Sequence, residues 1–318
     1  MQDTGRMEER KRAGGVTTAT GQAQATEAVQ HNKVFYPKRS LGQNFVVDQN
    51  TLRKMCRLSN ISPGDNVLEI GPGFAALTRE LLKSGAIVTA IELDRRLVQE
   101  LRFMEQSEWP GRLRIIEGSA LTVPMGTIFD NESVPSGAPT SSDNILQPTG
   151  TLDAPATRWK MVSNLPYNIA TPVVMRVLEE ADQVNYIVVM VQREVALRWA
   201  AKPGSSLCGA VSVKMSYFSE VKLAGSVSRN IFVPKPNVES SIVVISRLPQ
   251  APVAADYRSM AKLIDLAYRH RRKMLRNSLA PLCDDHALDQ AEIPPTSRPQ
   301  QLSIEDWGRL ALVVSSGK

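Results

Sequence analysis

The sequence predicts an α/β fold: a doubly wound, mainly parallel Rossmann-like sheet followed by a small helical C-terminal domain. Between residues 61 and 191, short branched apolar runs alternate with helical patterns, as in parallel strands joined by crossover helices. The runs are almost continuously apolar, which indicates strands covered on both faces. From residue 254 onward the strand signals stop and helical patterns take over.

Each element of this fold has a local signal. The predicted strands are 66–70, 87–91, 113–117, 160–163 and 186–191. Over 75–84 three leucines have helical spacing, and Gly85 is placed as a C-terminal cap. Thr171 before Pro172 predicts the N-cap and first-turn proline of a helix that ends near Glu180. The C-terminal helices are predicted at 262–280, 286–291 and 304–314.

The chain divides into three predicted regions. Residues 1–32 mix charges without an apolar core, so we expect a disordered tail there. The sheet domain occupies 33–250, and the helical domain occupies 251–318. Within the sheet domain, residues 127–158 are crowded with Ser, Thr and Pro and show no periodicity, which predicts a flexible insertion.

Composition sets broad limits on the function. Lys and Arg number 38 against 32 Asp and Glu, and the net charge of +6 gives a mild preference for polyanions. Cys56, Cys208 and Cys283 lie far apart without CxxC spacing, so neither a disulfide framework nor a metal site is expected. No apolar run approaches the length of a membrane helix, and the N-terminus does not resemble a targeting peptide. We therefore expect a soluble cytoplasmic protein.

A glycine turn follows the first predicted strand. Gly71 and Gly73 let the backbone pass close to a ligand, and the next helix offers its N-terminal amides to an anionic group. Glu92 ends the second strand, where a carboxylate can accept both hydroxyls of a ribose. This pattern alone also fits a nicotinamide dinucleotide site or a tight turn without a ligand.

The tetrapeptide 164–167 (Asn-Leu-Pro-Tyr) follows the fourth predicted strand, at the edge where open sheets bind ligands. An aromatic amine is a poor nucleophile because its lone pair is delocalised into the ring. The Asn164 side-chain oxygen and the Leu165 carbonyl can accept its two hydrogens and aim the lone pair at a sulfonium methyl. Pro166 removes a competing donor, and Tyr167 offers a face for a base. The tetrapeptide resembles the catalytic motif of amino-group nucleic-acid methyltransferases, which implies a class I methyltransferase; a proline turn beside a core tyrosine is the alternative.

Five segments together are more specific than any one of them. They are Gln43-Asn44-Phe45, Glu69-Ile70-Gly71-Pro72-Gly73, Glu92, residues 164–169 and residues 232–240. In order and spacing the set resembles the ribosomal RNA adenine dimethyltransferase family, and within it the branch that acts on the small subunit. The resemblance covers residues 35–314, apart from the predicted insertion.

The resemblance implies S-adenosylmethionine as the methyl donor. Asn44 and Val46 would close over the donor, Gly71 and Gly73 would lie against its methionine part, and Glu92 would hold its ribose. The family normally has an aspartate after the third strand, which accepts from the amino group of the donor's adenine. Here a neutral serine, Ser119, takes that place. Loss of a charge-assisted bond should weaken donor binding by about 1 kcal/mol.

The resemblance also assigns the target site. Asn164 and Leu165 would hold the target amine, with Asn164 also touching the donor, while Tyr167 and Phe232 would face the base from opposite sides. The implied reaction is the dimethylation of two adjacent adenines in the 3′-terminal hairpin loop of small-subunit rRNA. The expected partner is the immature small subunit, and the expected oligomeric state is a monomer.

A basic segment in the helical domain fits an RNA partner. Arg269, Arg272, Lys273 and Arg276 have the spacing i, i+3, i+4 and i+7, which predicts a cationic stripe on one helical face. Without interrupting acids, such a stripe favours phosphate contact over an ordinary solvated face. Two other functions stay open: a large-subunit rRNA dimethyltransferase that confers macrolide resistance, and a catalytically weak assembly or nucleic-acid-binding factor of the same fold.

Overall fold

The computed structural model describes residues 42–129 and 158–316, which contain one seven-stranded sheet and one two-stranded ribbon. The ribbon joins β1 (Phe45–Val46) and β8 (Phe232–Val233). The sheet comprises β2 (Asn66–Ile70), β3 (Ile87–Glu92), β4 (Leu113–Glu117), β5 (Trp159–Asn164), β6 (Val184–Gln192), β7 (Ser219–Val227) and β9 (Ser240–Arg247). Its strand order is β4-β3-β2-β5-β6-β9-β7.

The sheet is parallel from β4 to β6 and antiparallel beyond. The five predicted strands and the doubly wound fold are therefore confirmed. β7 and β9 were not predicted. β9 is a short apolar run that pairs with β6 over seven residues, whereas β7 is an edge strand with mixed exposure and a register shift near Gly225. The branched apolar run 242–245 in β9 is a strand signal that the prediction missed, whereas the mixed pattern of β7 is not distinct from a loop in sequence alone.

Helices cover the sheet and form the C-terminal part of the structure. Those interleaved with the strands are α1 (Gln49–Leu58), α2 (Ala76–Lys83), α3 (Arg95–Ser107), α4 (Met125–Phe129), α5 (Ala170–Glu180), α6 (Arg193–Trp199) and α7 (Ala210–Phe218). The C-terminal helices are α8 (Tyr257–Arg269), α9 (Leu275–Ser278), α10 (Asp285–Gln290) and α11 (Ile304–Ser316). Among the helices of the described ranges, none has the length and apolar character needed to span a membrane.

Hydrophobic clusters hold these elements, and two of them in the described residues bear on the domain organisation. The first lies between one face of the sheet and α5, where Val173, Val174 and Val177 are almost fully buried. Each such side chain contributes about 1.5–3 kcal/mol relative to an exposed position. The second core is built around Trp307 and the C-terminal helices, but it also includes Cys208 from the segment before 251. The boundary of the helical domain at 250/251 stays a prediction.

The predicted helix 262–280 is wrong as a continuous element. α8 ends at Arg269, and α9 begins six residues later at Leu275. The backbone N–H of Leu275 donates to the carbonyl of Ser297 at 2.8 Å instead of to a preceding turn. Because a neighbouring segment supplies this acceptor, the backbone leaves the helix without leaving a buried donor unpaired.

Some local expectations also need correction. The helix after the tetrapeptide begins at Ala170 with Ile169 as its N-cap, so Thr171 is not the cap; its hydroxyl accepts from Trp199 Nε1 at 3.2 Å. Gly85 does follow α2 in the left-handed region, with φ +97°. Residues 127–129 of the predicted insertion belong to α4. The predicted tail and the rest of the insertion lie outside the described residues.

Candidate active site

The turns that carry the predicted site residues meet at the carboxyl edge of the parallel strands. Backbone hydrogen bonds of 2.9 Å join Gly71 N–H to the Ile91 carbonyl and Gly118 N–H to the Glu92 carbonyl. A Cβ placed on Gly71 would lie 3.5 Å from the ring of Pro166. The glycine turn, Glu92, Ser119 and the tetrapeptide 164–167 therefore share one edge, as the sheet topology predicts.

The glycine turn forms a close-fitting cradle at the start of α2. Gly71 and Gly73 have φ values of +69° and +59°, which L side chains rarely adopt. The ring of Phe45 lies directly against Gly73, where an added Cβ would come within 2.8 Å of it. Phe45 also packs on Phe74, with 4.4 Å between ring centroids. The turn thus has no side chain of its own at either glycine, and the ring of Phe45 packs against its backbone at the position predicted for the methyl donor.

Glu92 is tied to this turn. Its Oε2 accepts from Gly73 N–H at 3.2 Å, and its Oε1 accepts from the N–H groups of Leu93 and Asp94 at 2.9 and 2.8 Å. Burial raises the pKa of Glu92, and these backbone hydrogen bonds oppose that rise. A carboxylate has about four acceptor sites, so capacity is left for a ribose hydroxyl.

Glu69 is a further polar group beneath the turn. Its side chain is 1% exposed, and its Oε2 has no hydrogen-bond partner among the described residues. Burial raises the pKa of Glu69 to about 8; the neighbouring Thr78 hydroxyl opposes this rise, and the Glu92 carboxylate adds to it. The Thr78 hydroxyl also lacks a partner by strict hydrogen-bond geometry, so these two buried groups can satisfy each other within the protein. The observations that fit a polar cofactor are therefore the glycine turn and the spare acceptor capacity of Glu92.

Asn164 ends β5 with a defined side-chain orientation. Its Nδ2 donates to the backbone carbonyl of Asn44 at 3.0 Å, so the Oδ1 atom is left for another donor. The next residue, Leu165, is anchored by its buried side chain and by a 3.2 Å hydrogen bond from its N–H to the Met190 carbonyl. These contacts fix the backbone on which both predicted acceptors are carried.

The tetrapeptide also has a second anchor. Tyr167 is half-buried, and its hydroxyl forms a 2.6 Å hydrogen bond with the hydroxyl of Ser240, the first residue of β9. Burial raises the pKa of Tyr167, so the phenol stays protonated near neutral pH. This bond fixes the position of the hydroxyl end of the ring on which a base is predicted to stack.

The β1–β8 ribbon brings the N-terminal site residues to the tetrapeptide. Val46 pairs with Phe232, and the N–H of Val47 donates to the Ile231 carbonyl at 2.9 Å. Phe232 is 2% exposed, so neither face of its ring is open to a base. Its predicted stacking role requires local movement of the ribbon and stays a prediction.

Ser119 lies at the start of the loop after β4. It is half-buried, and its Oγ accepts from Leu121 N–H at 3.3 Å. Ser119 follows β4, which pairs with β3, the strand that ends at Glu92. A donor with its ribose at Glu92 would therefore have its adenine near Ser119, further along the same edge.

The predicted RNA-contacting residues are exposed but do not form a helical stripe. Arg269 is the last residue of α8, Arg272 and Lys273 lie in the following turn, and Arg276 lies in α9. Arg276 is 3.9 Å from the carboxylate of Asp285. The four side chains share a short exposed segment, 269–276, which we call the basic segment.

Several contacts of the site could not be found from the sequence. The Asn44 carbonyl lies 120 residues from the side chain it holds, and a backbone carbonyl has no residue signature. Ser240 ends the motif 232–240, but its bond to Tyr167 depends on the pairing of β9 with β6. Asp94 is buried beside Glu92, and its hydrogen bond from the Arg96 side chain holds its pKa well below the usual range.

Comparisons with known proteins identify the family of this chain. The family described as Ribosomal RNA adenine dimethylase matches residues 34–315. The Ribosomal RNA small subunit methyltransferase A of Leifsonia xyli subsp. xyli is 38% identical over 284 residues, which is 86% of this chain and 91% of the relative. The protein of the same name from Bifidobacterium longum subsp. infantis is 36% identical over 296 residues, covering 88% and 89% of the two chains.

Solved structures support the fold. A dimethyladenosine transferase from Plasmodium falciparum superposes with a TM-score of 0.68 at 20% identity, covering 86% of this chain and 98% of that one. The 23S rRNA methyltransferase ErmE gives a TM-score of 0.59 at 22% identity, covering 85% and 99%. The family match over nearly all of the described residues, together with the relatives above 30% identity, shows that this chain belongs to the ribosomal RNA adenine dimethylase family.

Proposed function

We propose that the carboxyl edge of the sheet holds S-adenosylmethionine against the target adenine, with Asn164 and Leu165 as the groups that activate the adenine amine. The observation that carries this proposal is the bond between Asn164 Nδ2 and the Asn44 carbonyl. It leaves the Asn164 side-chain oxygen as an acceptor at the edge where the glycine turn and Glu92 also lie.

The reaction class follows from the family. The chain is an rRNA adenine dimethyltransferase, its methyl donor is S-adenosylmethionine, and it acts on small-subunit rRNA. The large-subunit alternative is not favoured, because the relatives of 36–38% identity are named for the small subunit. The likeness to the 23S enzyme ErmE, at 22% identity, concerns the fold alone.

The proposed donor site would be formed by residues near the carboxyl edge of the parallel strands. The methionine part would lie on the cradle of Gly71 and Gly73, and a ribose hydroxyl would bond to the remaining acceptor site of Glu92. Ser119 would accept from the adenine amino group, while Asn44 and Val46 would cover the donor. When bound, S-adenosylmethionine supplies a methyl group on a positively charged sulfur, which is an electrophilic carbon.

The target site activates a weak nucleophile by geometry. Asn164 Oδ1 and the Leu165 carbonyl would each accept one hydrogen of the adenine amine, which favours a pyramidal nitrogen whose lone pair points at the electrophilic carbon. Tyr167, held by Ser240, would support the extruded base. The amine becomes more acidic as it gains the carbon and can release its proton to water, so no general base is needed beforehand.

The RNA partner is proposed from charge and family together. The basic segment 269–276 would contact phosphates of small-subunit rRNA near its 3′-terminal hairpin loop, where unpaired adenines can be extruded. We further propose that the enzyme acts as a monomer in the cytoplasm and accepts the immature small subunit.

A labelled-donor assay tests the proposed function. Purified protein and radiolabelled S-adenosylmethionine are incubated with immature small subunits, large subunits or free DNA, and the modified nucleoside is identified by mass spectrometry. We expect dimethyladenosine in small subunits, formed at least about a hundredfold more slowly by Asn164→Ala. Incorporation confined to large subunits, or RNA binding without incorporation, would overturn the proposal.

A further inference from the structure

We propose that Arg176 is a positioning residue for the donor, acting through the loop 118–123 that presents Ser119. This inference rests on the proposed function, because it assumes that Ser119 faces the adenine of S-adenosylmethionine. Arg176 lies in α5, the helix that begins three residues after the tetrapeptide 164–167. It therefore connects the loop 118–123 to the helix that follows the tetrapeptide 164–167.

The contact is direct and mostly buried. Arg176 Nη1 donates to the Ala120 carbonyl at 3.0 Å, and its Nε donates to Glu180 Oε2 at the same distance. The Arg176 side chain is only 16% exposed, whereas that of Glu180 is 50% exposed. A charge-assisted hydrogen bond to a carbonyl in such surroundings is stronger than one at the open surface.

The loop 118–123 needs an anchor of this kind. It begins at Gly118, with φ +155°, and turns back on itself through bonds from the N–H groups of Thr122 and Val123 to the Ser119 carbonyl. Ala120 is buried in the core against α5, while Leu121 is exposed. Arg176 ties the turn at Ala120, the residue next to Ser119.

A neutral residue at 119 makes this anchor more important. A carboxylate attracts a polar donor over several ångströms, but a hydroxyl must be placed within hydrogen-bond distance to be useful. The direction of Ser119 Oγ is set by its bond from Leu121 N–H, and so by the shape of the loop. The position of the loop, held by Arg176, thus determines whether Ser119 can reach the adenine amino group.

The test measures donor affinity by calorimetry in the full-length protein. Arg176→Met keeps the length of the side chain and removes the donors, so we expect S-adenosylmethionine to bind roughly tenfold more weakly. Arg176→Lys retains a donor and should recover most of the affinity. The turnover number at saturating donor and rRNA should change less than twofold. Arg198→Met, which breaks an exposed ion pair with Glu194 in α6, is the matched control.

A second ligand separates positioning from general destabilisation. In an S-adenosylmethionine analogue whose adenine 6-amino group is replaced by hydrogen, Ser119 has nothing to accept. Arg176→Met should therefore weaken the natural donor but not the analogue, and it should have no further effect in a Ser119→Ala background. Equal losses for both ligands, or additive losses in the double variant, would overturn the role of Arg176.

The controls also distinguish the two levels of the proposal. If Ser119→Ala leaves the affinity for the natural donor unchanged, the placement of Ser119 in the donor site is wrong. If Ser119→Ala weakens binding while Arg176→Met does not, only the positioning role fails. Should Arg176→Met not fold, Glu180→Gln removes the carboxylate that orients Arg176, and we expect a smaller loss with the same preference for the natural donor.

Discussion

Asn164 Nδ2 donates to the backbone carbonyl of Asn44 at 3.0 Å, a contact between the end of β5 and the segment just before β1. An amide side chain has one donor end and one acceptor end, so fixing the first also fixes the second. The strand pairing of Val46 with Phe232 holds the N-terminal segment in place. The acceptor proposed for the target amine is thus oriented by a segment distant in sequence.

Asn164→Ala removes that acceptor. By analogy with preorganised groups in other active sites, we expect the rate of methyl transfer to fall at least about a hundredfold. Binding of rRNA should be unchanged, because the substitution leaves the basic segment intact. Single-turnover assays with radiolabelled donor, together with filter binding of the rRNA, would measure both.

Asn164→Asp tests the orientation itself. The carboxylate of the variant can still accept a hydrogen bond from the target amine. It has no N–H to donate to the Asn44 carbonyl, and its negative charge repels that carbonyl oxygen. We therefore expect a rate between those of the alanine variant and the native enzyme. Asn50→Ala, on the exposed face of α1, is the control and should leave the rate unaltered. A native rate in Asn164→Ala would contradict the assignment.

Gly73→Ala should disable the donor cradle. The new Cβ would lie 2.8 Å from the ring of Phe45, and the φ of +59° is strained for alanine by about 1 kcal/mol. We expect S-adenosylmethionine affinity to fall at least about tenfold, as measured by calorimetry.

Two further variants distinguish backbone strain from the contact with Phe45 as the cause of that loss. Gly204→Ala has a similar strain, with φ +84°, but no atom within 4 Å, so it should lower stability without changing donor affinity. Adding Phe45→Leu to Gly73→Ala should recover part of the affinity by relieving the contact. If the combination binds no better than Gly73→Ala alone, the clash with Phe45 is not the cause.

Ser119→Asp should improve donor binding. A carboxylate at this position can accept from the adenine amino group as a charge-assisted bond, which adds about 1 kcal/mol, or several-fold in affinity. It can also accept from Leu121 N–H, as Ser119 does now. Titrating both proteins with S-adenosylmethionine in parallel would show the difference, and equal affinities would remove Ser119 from the donor site.

Much of the fold was predictable because its signals are local. The strands β2 to β6 are apolar runs between turns, and Gly85 caps α2 through a backbone conformation that favours glycine. The site edge then follows from the topology, because the carboxyl ends of parallel strands lie together. The sequence alone was enough to place three features at this edge: the glycine turn at 71–73, Glu92 and the tetrapeptide 164–167.

The contacts that complete the site were not predictable in the same way. The helix that should have continued to residue 280 ends at Arg269, and the N–H of Leu275, after the break, donates to the carbonyl of Ser297, more than twenty residues away. The bond of Ser240 to Tyr167 and that of Arg176 to Ala120 depend equally on tertiary packing. The spacing of residues in the sequence indicates where a helix begins. It does not show where a hydrogen bond to a distant segment replaces the next turn of the helix.

The basic segment can be tested without assuming a helix. Replacing Arg272 and Lys273 together with glutamine should weaken rRNA binding and lower the slope of log affinity against log salt by about 1 to 2. The control replaces Arg258 and Lys262, exposed cations of α8, with glutamine, which changes the net charge equally. Identical salt slopes for the two double variants would show that overall charge, and not this segment, governs binding.

The buried carboxyl of Glu69 should make stability depend on pH. Its pKa is raised from an ordinary 4.5 to about 8, so between these values the folded protein keeps a proton that the unfolded chain releases. The contribution of this proton to the free energy of unfolding has its full value below pH 4.5, declines as pH rises, and is lost above pH 8. A shift of this size corresponds to about 5 kcal/mol across the full window.

Glu69→Gln removes this titration while keeping the side chain's size. We expect urea unfolding between pH 5.5 and 8.5 to show a falling free energy of unfolding for the native protein and a flatter profile for Glu69→Gln. Glu100→Gln, an exposed carboxyl of α3, should retain the native slope. Glu92 is also buried with a raised pKa and is present in both proteins. The effect of Glu69 is therefore the difference between the native protein and Glu69→Gln in the slope of unfolding free energy against pH. Parallel profiles for the native protein and Glu69→Gln would mean that Glu69 is already ionised at neutral pH, with a cation or water compensating it beneath the donor cradle.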